Sequence, residues 1–133
     1  MSNEPTRVLI AEDEALIRLD LKEMLEEEGY VVVGEVGDGQ AAVDQARELR
    51  PDLVVLDWMM PRMNGLEVCA ALRSDADPAL ARTPVLLLTA KAQEPDLERG
   101  FAAGATDFVA KPFSTRELVS RVTAALPPGS VPA

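Results

Sequence analysis

Along the chain, short apolar runs alternate with longer stretches in which apolar residues recur at helical spacing. Arg7-Val8-Leu9-Ile10-Ala11 reads as a buried strand that ends at Glu12-Asp13. Residues 14–28 then carry Ile17, Leu21, Met24 and Leu25 on one helical face with charges between them. Tyr30-Val31-Val32-Val33 reads as a second strand. After Gly37-Asp38-Gly39 a helix runs through Val43, Ala46 and Leu49 until Pro51 stops it. Asp52-Leu53-Val54-Val55-Leu56 predicts a third strand reaching Asp57, and a loop through Pro61 and Gly65 leads into a helix with Leu66, Cys69 and Leu72. Pro84-Val85-Leu86-Leu87-Leu88 is the fourth strand, ending at Thr89. A helix near 94–103 follows, and then a fifth strand, Thr106-Asp107-Phe108-Val109-Ala110, ends at Lys111. The last helix opens on Ser114-Thr115-Arg116-Glu117, a pattern in which the serine and the glutamate satisfy each other's end groups. It runs to about Leu126, where Pro127-Pro128-Gly129 stops it.

Strands alternating with helices, each strand an unbroken apolar run, indicate a parallel sheet covered on both faces. Five strands joined by right-handed crossovers predict an α/β, flavodoxin-like doubly wound sheet of order 2-1-3-4-5. Residues 6–126 read as one domain, and 127–133 as a C-terminal tail or the start of a truncated linker. No repeat and no low-complexity tract interrupts the pattern.

Composition narrows the function. The 133 residues carry a net charge of -10, which argues against direct contact with a nucleic-acid backbone or an anionic membrane surface. No apolar run approaches the roughly 20 residues of a membrane span, and Met1-Ser2-Asn3-Glu4-Pro5-Thr6-Arg7 has no apolar core of a secretory signal. Cys69 is the single cysteine, so an internal disulfide and a cysteine-based metal cluster are excluded and a reducing cytoplasm is the expected location. The chain has no histidine, which removes histidine general bases, histidine metal ligands and phosphohistidine from its chemistry.

In open α/β sheets ligands bind at the carboxyl ends of the strands. This sequence puts Glu12 and Asp13 after the first strand, Asp57 after the third, Thr89 after the fourth and Lys111 after the fifth. A lone aspartate after a strand is usually a turn residue, and an acidic pair opening a helix usually answers the helix dipole. Five such residues at the ends of four strands are much harder to reach by chance. Three convergent carboxylates repel one another, and a hard divalent cation resolves the conflict; Mg²⁺ takes oxygen ligands and keeps several waters, commonly with a phosphate oxygen among its partners. Asp57 would then accept a phosphoryl group covalently. Lys111 would offset charge on its oxygens, and the Thr89 hydroxyl would donate to one of them.

At these residues the chain resembles the receiver domains of bacterial two-component response regulators. The resemblance runs through Val8-Leu9-Ile10-Ala11-Glu12-Asp13-Glu14, Leu56-Asp57-Trp58-Met59-Met60-Pro61 with Asn64-Gly65, Leu88-Thr89-Ala90, and Lys111-Pro112-Phe113. It implies phosphorylation of Asp57 by a histidine kinase or histidine phosphotransfer protein. It implies a Mg²⁺ ion, or Mn²⁺ in its place, held by Asp13, Asp57 and the backbone carbonyl of Met59, with Glu12 acting through water. Thr89 and Phe108 would be the switch pair, Lys111 the counter-charge of the phosphate, and the Lys111-Pro112 peptide bond cis. The other partners it implies are a downstream effector or an output domain, and a homodimer formed on phosphorylation.

Departures from the family pattern bear on output. Glu12 stands where aspartate is also common, and Phe108 where many relatives carry tyrosine, so no hydroxyl there can report the ring's position. The final helix, Arg116 to Val122, is similar to that of receivers fused to winged-helix DNA-binding domains, yet Pro127-Pro128 replaces the basic helix end expected there. The stretch from Ala11 to Ala46 is similar to receivers attached to RNA-binding antiterminator domains. Other readings fit less well. A phosphatase with an aspartate nucleophile needs a second aspartate two residues later, where this chain has Met59. A flavin-phosphate loop would be repelled by Glu12-Asp13-Glu14. An unphosphorylated pseudo-receiver acting as a protein-binding module is the alternative, and the presence of Asp57 and Lys111 counts against it.

Two further expectations follow. Ala15, Leu16 and Leu19 fall opposite the core face of the first helix, beside Glu12-Asp13, and predict a surface where a partner helix docks. Met59 and Lys91, two residues after Asp57 and Thr89, should flank the approach of a hydrolytic water. Neither can take its proton, so self-dephosphorylation should be slow.

Overall fold

Strand residues point alternately to the two faces of a sheet, and here that alternation sorts the apolar residues into two cores. Leu9, Val54, Leu56, Val85, Leu87 and Phe108 face one, with Val43, Ala46, Cys69 and Leu72 from helices packed on them. Val8, Ile10, Leu53, Val55, Leu86, Leu88 and Val109 face the other, with Leu21, Leu25, Leu118 and Val122. Each fully buried aliphatic side chain contributes about 1.5–3 kcal/mol, so the two cores together hold the sheet between its helices.

The computed structural model of the protein describes residues 5–90 and 94–126. Lys91 and the 127–133 tail lie outside the described residues. The elements are β1 (Arg7–Ala11), α1 (Ala15–Glu27), β2 (Val31–Val36), α2 (Gly39–Leu49), β3 (Leu53–Asp57), α3 (Gly65–Arg73), α4 (Pro78–Ala81), β4 (Val85–Thr89), α5 (Glu94–Ala103), β5 (Asp107–Ala110) and α6 (Thr115–Ala125). The sheet is wholly parallel in its pairings and has the predicted order β2-β1-β3-β4-β5. β3 and β4, in the middle, are buried at every residue.

The second strand differs from its sequence reading. It begins one residue later, at Val31, and continues through Gly34 and Glu35 to Val36. It is an edge strand, half-buried to exposed along its length rather than covered on both faces. A charged residue is therefore tolerated within it: Glu35 pairs with Lys22 at 3.2 Å and with Arg18 at 3.9 Å. Tyr30 is buried just before it, its hydroxyl 3.1 Å from Thr123 Oγ1 of α6.

Helix ends follow local chemistry. The reciprocal capping box is found at Asn64 and Glu67 of α3, at 2.9 and 3.0 Å. At α6 the serine half of the expected pattern is present, with Ser114 Oγ accepting the Glu117 N–H at 3.1 Å. The short helix α4 was not predicted. It starts where Asp77 accepts from the Ala79 N–H and Pro78 supplies a pre-set first helical φ. The Lys111-Pro112 bond is cis, as the resemblance implies.

Candidate functional site

All five strands run the same way, so their carboxyl ends share one edge. The register sets Ala11 beside Leu56, Asp57 beside Leu88 and Thr89 beside Ala110. The residues that end or follow β1, β3, β4 and β5 then meet around one crevice. Backbone hydrogen bonds continue the ladder into it: Glu12 N–H to Val36 O at 3.0 Å, Trp58 N–H to Leu88 O at 3.0 Å and Lys111 N–H to Thr89 O at 2.8 Å. Gly65 lets α3 start directly against this edge, because a Cβ there would lie 2.8 Å from the carbonyl oxygen of Asp57.

Glu12 is fully buried, Asp57 nearly so, and Asp13 is exposed. Lys111 bridges the two buried carboxylates, its Nζ 2.7 Å from Glu12 Oε1 and 3.2 Å from Asp57 Oδ1. The other Glu12 oxygen accepts the Glu14 N–H at 3.1 Å. From behind, the Arg18 guanidinium donates to the Glu12 carbonyl at 2.7 Å and ties the acidic turn to α1.

Two buried carboxylates beside one ammonium cannot both ionise freely. Burial and the neighbouring Glu12 carboxylate raise the Asp57 carboxyl to about 7, against the pull of Lys111. Burial also pushes Glu12 upward, but Lys111, the Glu14 N–H and a hydrogen bond from Asp57 outweigh it and hold Glu12 below its ordinary value. Burial lowers the Lys111 ammonium, and its bonds to Glu12 and Asp57 raise it further than burial lowers it. Without a cation, Asp57 is therefore the carboxyl of the crevice that keeps its proton longest as pH rises, up to about 7.

One carboxylate oxygen from each of Glu12, Asp13 and Asp57 lies within 4.8 Å of the other two. An octahedral Mg²⁺ with bonds of about 2.0–2.1 Å sets its oxygens roughly 3–4 Å apart. The trio is hard oxygen throughout and has the spacing that such an ion bridges when one carboxylate is reached through water. Glu12, already occupied by Lys111 and the Glu14 N–H, is the natural one to stay at that remove.

The remaining predicted residues lie around this centre. Thr89 is buried beside Trp58, Met59, Asn64 and Arg99, around an adjoining hollow of about 260 Å³. Met59 is exposed on the rim. Phe108 does not reach the carboxylates; its ring packs edge-on against Phe101 at 4.8 Å and tilts against Trp58 at 6.4 Å. Ala15, Leu16 and Leu19 are exposed on α1, next along the chain from the acidic turn. Sequence reasoning missed Arg18, Trp58 and Arg99. Arg18 sits six residues from its partner carbonyl, and Arg99 lies 5.9 Å from the Trp58 ring across the fold, so neither has a local signal.

Comparison with known proteins adds the following. A family model, the response regulator receiver domain, matches residues 8–123. The chain is 48% identical over 122 residues to the transcriptional regulatory protein PdtaR of Mycobacterium tuberculosis, covering 92% of this chain and 57% of that protein. It is 43% identical over 120 residues to the DNA-binding response regulator MtrA of Mycobacterium leprae, covering 90% of this chain and 51% of that protein. The chain thus spans about half the length of the curated relatives it matches. Among solved structures, the chemotaxis protein CheY4 of Vibrio cholerae superposes with a TM-score of 0.86 at 31% identity, over 92% of this chain and 100% of that one. The signal receiver domain of NarL from Mycobacterium tuberculosis does so with a TM-score of 0.83 at 35% identity, over 91% and 95% of the two chains.

Proposed function

The chain belongs to the response regulator receiver domains of two-component systems, and from that premise we propose that it is a phosphorylation switch, charged on Asp57 in a Mg²⁺-dependent reaction. The observation that carries this reading is the meeting of Lys111 with Glu12 and Asp57 at 2.7 and 3.2 Å, beside Asp13. Mn²⁺ would serve in place of Mg²⁺, since the donors are all hard oxygens.

Asp57 is the acceptor. Its carboxylate oxygen attacks phosphorus, a P–O bond forms, and the P–N bond of a donor phosphohistidine breaks with its electron pair returning to the imidazole. That imidazole belongs to a histidine kinase or phosphotransfer protein, because this chain has no histidine. Asp13, Asp57 and the Met59 carbonyl would hold the cation, with Glu12 reaching it through water. The bound cation supplies positive charge against the phosphoryl oxygens. Lys111 then exchanges its pairing with Asp57 for a phosphoryl oxygen, and the Thr89 hydroxyl donates to another. Drawing Thr89 toward the phosphoryl group vacates space beside Phe108, the second member of the switch pair.

Ala15, Leu16 and Leu19 form the surface on which the partner's helix docks. Downstream, an effector protein, an output segment or a homodimer formed on phosphorylation receives the change, without nucleic-acid contact by this domain. We place the reaction in the cytoplasm, where the kinase's phosphohistidine and a reduced Cys69 are both at home. Among the described residues no helix is long and apolar enough to cross a membrane.

Intact-mass measurement with a small acyl phosphate and Mg²⁺ tests the reading. The chain should gain one phosphoryl group, and Asp57→Asn should gain none. A gain by Asp57→Asn would move the acceptor elsewhere; no gain by the native chain would leave a protein-binding module of the same fold.

A further inference from the structure

Five methionines occur in the sequence, and four of them, Met24, Met59, Met60 and Met63, lie among the described residues. Met60 belongs to one core, at 9% exposed, Met63 is half-buried against that core and Met24 against the other. Met59 is different. It is 66% exposed although the residues on either side, Trp58 and Met60, are 8% and 9% exposed. The loop after β3 turns this one thioether outward.

Its place matters as much as its exposure. Met59 lines two adjoining hollows. One, of about 330 Å³, contains Asp13, Asp57 and Lys111; the other, of about 260 Å³, contains Thr89, Asn64 and Arg99. The side chain thus stands on the rim shared by the acidic crevice and the groove over Thr89, an apolar group close to Asp57 in the fold. A thioether is a weak hydrogen-bond acceptor and does not hold a water.

We propose that Met59 is an oxidation site whose sulfoxide shortens the life of the phosphorylated state; this rests on the reading of Asp57 as the phosphoacceptor. A peroxide transfers one oxygen atom to Sδ. The O–O bond breaks, an S–O bond forms, the sulfur gives up two electrons and the peroxide leaves as water or an alcohol. The product is a polar side chain with a strong acceptor oxygen on the same rim. That oxygen orients a water toward the phosphorus of the acyl phosphate, which the apolar thioether does not do. Hydrolysis then breaks the P–O bond to Asp57, restoring its carboxylate and releasing inorganic phosphate. Oxidant would thereby shorten the signal without touching the acceptor, and reduction of the sulfoxide would restore it.

The full chain is treated with hydrogen peroxide, digested and mapped, and a second portion is phosphorylated with a small acyl phosphate and Mg²⁺, freed of donor and followed by intact mass. Met59 should gain oxygen ahead of Met24, Met60 and Met63. The oxidised chain should lose its phosphoryl group roughly three- to tenfold faster than the untreated chain, a modest share of what a placed proton acceptor contributes. Met59→Gln, which supplies an acceptor oxygen without oxidant, should shorten the lifetime in the same direction. In Met59→Leu, whatever its own lifetime, peroxide should change nothing. Oxidation spread evenly over the methionines, or equal lifetimes with and without the added oxygen, overturns the inference while leaving Asp57 as the acceptor. A chain that never gains the phosphoryl group overturns the reading of Asp57 and this inference with it.

Discussion

Without a cation, the fold should lose stability as pH rises from about 5 to about 8, and Asp57→Asn should remove that loss. The Asp57 carboxyl stands at about 7 in the fold against an ordinary value of 3.8, so the folded chain binds a proton that the unfolded chain has released. Where the native state holds more protons, stability falls as pH rises. The contribution is complete below the unfolded value and gone once pH passes the folded one. At 1.36 kcal/mol for each step of one in pKa, the rise amounts to about 4 kcal/mol if Asp57 titrates alone. Between pH 5 and pH 8 at most two such steps, about 2.7 kcal/mol, are lost, and coupling to Glu12 and Lys111 spreads that loss over the group. Other shifted groups stay out of the window. Glu12 and Asp75 are both lowered, so they act below their ordinary values of 4.5 and 3.8, and Lys111 is raised above 10.5.

The assay is urea unfolding in chelator at several pH values between 5 and 8, for the native chain and for Asp57→Asn. General repulsion from the net charge of -10 is almost common to both, so the difference between the two curves isolates Asp57. An amide cannot ionise; the variant's stability relative to the native chain should therefore grow by about 1–3 kcal/mol between pH 5 and pH 8. Adding Mg²⁺ at pH 8 should recover the native chain's deficit, because the cation favours the ionised crevice. Parallel curves for the two proteins across the whole range would refute the argument.

Mg²⁺ at about a hundred times its dissociation constant should stabilise the native chain by about 2.7 kcal/mol, seen as a rise in Tm, and Asp13→Asn should lose most of that rise. Leu16, 79% exposed, should tolerate Leu16→Glu within about 0.5 kcal/mol; transfer from a phosphohistidine partner should slow while a small acyl phosphate still works, and equal loss by both routes would point to misfolding. Gly100→Ala should destabilise by about 1–3 kcal/mol, since its Cβ would come 2.3 Å from Phe108 Cζ. In a Phe108→Ala background the same change should stabilise by up to about 1 kcal/mol through helix propensity; urea midpoints of the four proteins decide it, and equal effects in both backgrounds would show that the ring is not what the glycine accommodates.

The alternation of apolar strands with amphipathic helices was enough to determine this protein's architecture and strand order, because burying two faces of a parallel sheet leaves few connections open. It also placed Glu12, Asp13, Asp57, Thr89 and Lys111 at strand ends, where a parallel sheet brings such residues to one edge. The extent of β2 was not legible in this way. The apolar run Tyr30–Val33 gave no reason to continue through Gly34 and Glu35, and only the strand's position at the sheet edge, with Lys22 and Arg18 in reach, makes a glutamate acceptable there. Helix α4 was not read either, since four residues carry no periodicity. Tertiary structure alone decided which carboxylate is deepest, that Lys111 spans Glu12 and Asp57, and that Arg18 ties down the Glu12 carbonyl. It alone seated Phe108 against Gly100 and turned Met59 outward between buried neighbours. Periodicity records which way a residue faces along its own element; charge sharing, proton placement and ring packing depend on distances between elements, and those exist only once the chain has closed on itself.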